Sequence, residues 1–260
     1  MIIAAGDSFV YGSELASPAN TFTSLLGADE CIAWPGYSND AIARTTIERC
    51  EQGNVDGVIV SWTFPCRYEF RFSYDTGQRK SPWYSINPWT TKLDIDSIND
   101  EFVNKDDNIL EVQKETIKRA RATGVADFAD VFYQHIGSSE YWEVYSTLKE
   151  IVYLQNYLIL NSIPFMFTCA DNSIWYNYTR YNPDNVIQSL INQIDLSRFF
   201  WFPEGQGSNQ TEAPRGFYQW AVENKYAIGT THPLEQAHID ASKLMQGKFN
   251  ELVKKHLQSH

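Results

Sequence analysis

The sequence predicts an α/β fold, a three-layer α/β/α sandwich around a parallel sheet, and three observations carry that reading. Four apolar runs have strand length: Ile2 to Ala5, Cys31 to Trp34, Gly57 to Ser61 and Pro164 to Cys169. Each is continuous rather than alternating, as expected of strands covered on both faces. Short helical patterns separate the first three runs, so strand and helix alternate as parallel crossover units require.

Taken in order, the first run leads straight into Gly6-Asp7-Ser8. Pro18 to Leu26 carries Phe22, Leu25 and Leu26 on one helical face, and Asp40 to Cys50 opens with an Asp cap and carries Ile42, Ala43, Thr46 and Ile47. Beyond the third run the rhythm breaks into Pro-, Ser- and Asn-rich turns around Ser81 to Pro88 and acidic turns around Asp94 to Asp107. Residues 64–138 therefore read as a large insertion after the third strand, inside one domain spanning 1–260. Tyr141 to Leu160 is a long helix with a broad apolar face built from Val144, Leu148, Ile151, Val152, Leu154 and Leu158. Two more helices are expected, Pro183 to Ile194 capped by Asn182, and Pro233 to Leu257 with Pro233 in its first turn.

Composition narrows the function classes. Hydrophobic residues make up 43% of the 260 and charged residues 20%, enough for a core on both sides of a sheet. The net charge of -11 argues against nucleic acid and anionic membrane surfaces, which need clustered Lys and Arg. The basic stretch Lys114 to Arg121 is interleaved with Glu115 and reads as a solvated helix face. The four cysteines, Cys31, Cys50, Cys66 and Cys169, show no CxxC spacing, so neither a metal site nor a disulfide framework is expected. Aromatic residues gather between Phe64 and Trp89 and between Trp175 and Trp220, and most are expected to pack loops onto the core. Met1-Ile2-Ile3-Ala4-Ala5 does not read as a secretory signal, and no run has the length of a membrane span. The expected location is the cytoplasm; a phage-encoded chain would sit in the host cytoplasm or the virion.

Three stretches carry chemistry, all expected at the same sheet edge, where ligands of parallel α/β sheets gather. Gly6-Asp7-Ser8-Phe9 follows the first strand and puts Ser8 at the mouth of that edge. Pro35-Gly36-Tyr37-Ser38-Asn39-Asp40 follows the second, where a glycine lets a backbone N–H approach a reacting oxygen and Ser38, Asn39 and Asp40 cap the next helix. Gly229-Thr230-Thr231-His232-Pro233 holds a histidine in a loop ahead of the last helix, where neutral imidazole can serve a serine as general base. Each stretch alone also reads as an ordinary turn or helix start. The remaining histidines, His135, His238, His256 and His260, sit in or beside helical patterns.

Together, the early Gly-Asp-Ser-Phe, the Gly-x-Ser-Asn-Asp after the second strand and the late His-Pro resemble the SGNH/GDSL hydrolases. The fuller Gly-Asp-Ser-Phe-Val-Tyr-Gly and Pro-Gly-Tyr-Ser-Asn-Asp-Ala-Ile-Ala-Arg are also similar to uncharacterised bacterial and marine-phage SGNH-like proteins. The resemblance implies the flavodoxin-like parallel sheet of the SGNH hydrolase fold and a serine esterase acting on an O-acetyl or other short acyl ester, with a carbohydrate as one possible carrier and no cofactor. It assigns Ser8 as nucleophile and oxyanion donor, Gly36 as second donor and His232 as base. Two positions depart from the family pattern. The oxyanion asparagine falls on Thr63 in Ser61-Trp62-Thr63-Phe64, and the aspartate three residues before the histidine falls on Gly229. His232 is then oriented by a backbone carbonyl or by an acid from elsewhere; Asp171, beyond the fourth strand, is the candidate carboxylate, with a turn role in Ala170-Asp171-Asn172 as its alternative. Asn39, Trp62 and Arg67 are expected to line the substrate site, with a surface or structural ion pair as the alternative role of Arg67. A binding or virion-associated module on the same scaffold, and a flavodoxin-like phosphate binder, are the alternatives.

Overall fold

The computed structural model describes residues 1–77, 82–88, 90, 107–176, 184–204 and 213–254. Its centre is a parallel sheet in the order β2-β1-β3-β6, formed by β1 (Ile2–Ala5), β2 (Glu30–Cys31), β3 (Gly57–Trp62) and β6 (Phe165–Cys169). In register, Ile3 lies beside Val58 and Val60 beside Phe167. The second strand is shorter than its apolar run suggests, with ladder pairing confined to Glu30 and Cys31. Beyond it the chain still follows β1 through single bonds, Ile32 N–H to Ala4 O at 2.8 Å and Trp34 N–H to Gly6 O at 3.3 Å.

Alternate side chains of each strand enter two separate cores, which is why the runs are apolar throughout. Ile3, Ala5, Val58, Val60, Trp62, Phe165 and Phe167 pack on one face against α3 (Asn39–Glu51) and the long helix Glu140–Leu160. Ile2, Ala4, Ile59 and Met166 pack on the other against α2 (Phe22–Leu26), Phe217–Glu223 and Glu235–Phe249. The molecule is thus a three-layer α/β/α sandwich. No helix among the described residues is long and apolar enough to cross a membrane.

Several element ends differ from the sequence reading. Helix α3 is capped by Ser38, whose side chain accepts from Ala41 N–H, rather than by Asp40. The stretch 18–26 divides into a 3-10 turn at Pro18–Asn20 and α2, because the Thr21 side chain caps α2 by accepting from Ser24 N–H. The last helix starts at Glu235, since Pro233 is taken up by a bridge to Ile228. Asp184 caps the helix Asn185–Ile191; Asn182, Pro183 and the acidic turns at 94–106 lie outside the described residues.

Within 64–138 the chain builds a two-stranded antiparallel sheet, β4 (Tyr68–Arg71) with β5 (Trp83–Ile86), where turns alone were expected. It continues through Asp107–Ala122 and Val125–Phe132. Tyr68, Tyr84, Ile86, Val125, Ala129 and Tyr133 form a small core of their own under Phe70, Phe72 and Phe132, so these rings pack among themselves rather than onto the cores that flank the sheet.

Candidate active site

Because the four strands run parallel, the turns after β1, β2, β3 and β6 all leave the sheet at one edge. After β1, Asp7 caps the short helix α1 (Ser8–Tyr11) by accepting from Phe9 N–H at 3.1 Å, which presents Ser8 as the helix's first residue. Ser8 is 8% exposed, and its N–H donates to no group among the described residues.

The histidine arrives from the far end of the chain. Residues 228–233 form a tight hairpin closed by the Ile228–Pro233 bridge and by Gly229 N–H donating to His232 O at 2.9 Å. Its ring packs against Phe9 at a centroid distance of 4.7 Å, and Nε2 lies 2.8 Å from Ser8 Oγ. Nδ1 lies 2.8 Å from Oε1 of Glu14. Facing a carboxylate, which only accepts, Nδ1 carries the imidazole proton, and Nε2 is left to accept from the serine hydroxyl.

Glu14 was not foreseen, and it stands where Asp171 was the candidate carboxylate. Its carboxylate also receives Thr230 N–H, Thr231 N–H at 3.1 Å and Thr231 Oγ1 at 3.0 Å. Burial pushes this carboxyl up, but the hydrogen bond and charge of His232 and the threonine donors outweigh it and leave it below the ordinary carboxylate range. The residue holds φ at 69°, a left-handed conformation unfavourable for a non-glycine residue by roughly 1–2 kcal/mol. No sequence pattern marks it beyond an acid in the loop following Ser8. Asp171 makes no contact with His232. Its carboxylate accepts from Ser173 N–H at 2.7 Å, from the Ser173 hydroxyl and from Gln219 Nε2, so it closes a turn beyond β6.

Gly36 adopts φ of 85°, the left-handed region that favours glycine, with open space where a side chain would be. Its N–H, like that of Ser8, has no acceptor among the described residues. Arg67 brings this turn beside Ser8, because Nη1 reaches both Asp7 Oδ2 at 2.9 Å and Tyr37 O at 3.4 Å. Four expected site residues are otherwise engaged. The Thr63 hydroxyl donates to Asp7 Oδ2 at 2.5 Å, so its proton is not directed at a reacting oxygen. The Asn39 amide accepts from Thr63 N–H at 2.8 Å and donates to Thr63 O and to Thr147 Oγ1, which makes it a clamp between α3 and the end of β3. Trp62 is 0% exposed and packs edge-on against Phe167 inside the core. Arg67 is committed to Asp7 as an ion pair, with its guanidinium over the Phe64 ring at 4.8 Å.

Among the described residues no cluster of His, Cys, Asp and Glu could hold a metal ion, and the four cysteines are free thiols. His238, in the last helix, stacks on Phe22 and accepts Phe22 N–H at Nδ1, a packing role.

No protein-family model matches this chain, and no curated protein matches it. Among solved structures it is similar to the psychrotrophic esterase EstA of Pseudoalteromonas sp., at 11% identity and a TM-score of 0.39, over 99% of this chain and 98% of that one. It is also similar to CEX, a two-domain esterase active on acetylated mannans, at 9% identity and a TM-score of 0.40, over 98% of this chain and 49% of that one. The chain thus spans about half the length of the second protein. Nothing about the site follows from likeness at that level, and its chemistry rests on its own geometry.

Proposed function

We propose that the chain is an SGNH-type serine esterase that cleaves an O-acetyl or other short acyl ester. The observation that carries this reading is the 2.8 Å contact between Ser8 Oγ and His232 Nε2, with a carboxylate on the opposite ring nitrogen. As Ser8 Oγ attacks the ester carbonyl carbon, its proton passes to His232 Nε2. The carbonyl oxygen becomes an oxyanion, met by the N–H groups of Ser8 and Gly36, which have no acceptor among the described residues. Collapse breaks the bond to the alcohol oxygen, which takes the proton from His232. Water then attacks the acyl-serine by the same route, with His232 accepting its proton, and releases the acid and free Ser8.

Two N–H donors serve the oxyanion here, and the absent third is worth about 3 kcal/mol of transition-state stabilisation in comparable sites. The reaction is therefore slower than that of a three-donor site, not abolished. An acetylated carbohydrate is the proposed substrate class.

Treatment with a serine-directed fluorophosphonate, followed by intact-mass and peptide analysis, tests the reading. One adduct on Ser8, absent in Ser8→Ala and His232→Ala, is expected, together with hydrolysis of p-nitrophenyl acetate. A folded protein that takes up no label and hydrolyses no acetyl ester would instead point to a binding module on this scaffold.

A further inference from the structure

Glu14 and position 229 share one site. A Cβ built on Gly229 would lie 2.0 Å from Oε2 of Glu14 and 3.2 Å from its Cδ, well inside contact distance. The other oxygen of the same carboxylate is the one 2.8 Å from His232 Nδ1. The space beside Nδ1 therefore opens to two positions, one on the loop after α1 and one on the hairpin that carries the histidine. Glu14 fills it, and Gly229 leaves it free.

We infer that Glu14 is the positioning residue for His232 and that it holds this place by exclusion, so that a carboxylate can come from position 14 or from position 229 but not from both. Three further features support it. Thr230 N–H, Thr231 N–H and the Thr231 hydroxyl all donate to the Glu14 carboxylate, a set of donors suited to an anion. The left-handed backbone at Glu14 is a conformation that persists only where the surroundings over-determine it, and these contacts do so. The contact at Gly229 is with the far end of a flexible side chain, so a larger residue there displaces the carboxylate without deforming the backbone.

The inference rests on the esterase reading for its chemical consequence, but its geometry can be read separately. Glu14→Gln, Glu14→Gly, Gly229→Ala and the exchange variant Glu14→Gly/Gly229→Asp are compared with the wild type in two measurements. One is the rate of Ser8 phosphonylation; the other is the low-field imidazole Nδ1–H signal of His232 by NMR, which requires no turnover. Glu14→Gln and Gly229→Ala are expected to slow labelling roughly a hundredfold or more and to lose the signal, and the exchange to recover both to within about tenfold of wild type. A wild-type rate and signal in Glu14→Gln, or a folded exchange variant no better than Glu14→Gly, overturns the inference. If the exchange variant fails to fold, an unchanged signal in Gly229→Ala overturns it. A wild type that shows the expected signal pattern but takes no label defeats the esterase reading alone and leaves the shared site standing.

Discussion

Thr63 gives its hydroxyl proton to Asp7, Oγ1 to Oδ2 at 2.5 Å, and Arg67 closes the same carboxylate from the other side at 2.9 Å. Asp7 is fully buried, so its charge depends on these donors and on Phe9 N–H. The end of β3 thereby braces the turn that carries Ser8 rather than reaching toward substrate.

Replacing Thr63 with Val should consequently cost about 1.5–3 kcal/mol of stability, the worth of a hydrogen bond to a charged group. Its kcat should fall less than about tenfold, where loss of a true oxyanion donor would take 10²–10³. Urea unfolding and ester hydrolysis on the same preparation separate the two.

The Asp7–Arg67 pair invites a double-mutant cycle. Arg67→Met alone strands a buried carboxylate and should destabilise the protein by about 3–5 kcal/mol. Combined with Asp7→Asn, the loss should be smaller than the sum of the two singles, and additive losses would mean the pair is not coupled.

Gly36→Ala meets no steric contact, so its penalty is backbone strain of roughly 1–2 kcal/mol at φ of 85°. On the proposed esterase mechanism, relief of that strain is expected to turn the residue 36 N–H away from the oxyanion. The expected signature is a lower kcat with KM nearly unchanged, and an effect confined to KM would argue that Gly36 supplies no donor.

Asp40 reports on a different region. Burial, then the charge of Glu150, pushes its carboxyl from 3.8 up to about 7. The folded state thus holds this proton more tightly than the unfolded chain, and the site loses stability as pH rises between those values. Asp40→Asn should stabilise the protein above pH 7 and lose that advantage toward pH 4, as thermal unfolding across pH would show.

His238 has the opposite slope. Burial among Phe22 and Phe217 lowers its imidazole from 6.5 to about 4, so the unfolded chain takes up the proton first as pH falls. Stability from this site is full above 6.5 and is lost on acidification toward 4. His238→Gln should flatten the pH dependence in that interval, and an unchanged slope would place the acid sensitivity elsewhere.

Much of the frame was readable from local pattern. The strands β1, β3 and β6 and the helix Glu140–Leu160 fall within a residue or so of their apolar runs, because burial on both faces leaves a continuous signature. The β4–β5 hairpin was missed because Trp83-Tyr84-Ser85-Ile86 is flanked by Pro82 and Pro88, which read as turn. The helix Phe217–Glu223 carries a local signal too, Phe217, Trp220 and Ala221 at helical spacing.

The sequence by itself determined that Ser8, Gly36 and His232 would follow strand ends or precede a helix, since turn chemistry and hydrophobic period are local properties of the chain. Only the tertiary structure decided which groups partner them. Glu14 and His232 are 218 positions apart, and their contact depends on a left-handed loop meeting a hairpin with no side chain at residue 229. Thr63 likewise presents a hydroxyl in any reading of the sequence. The direction of its proton was set by Asp7, a buried anion whose need for donors exists only once the sheet has closed around it.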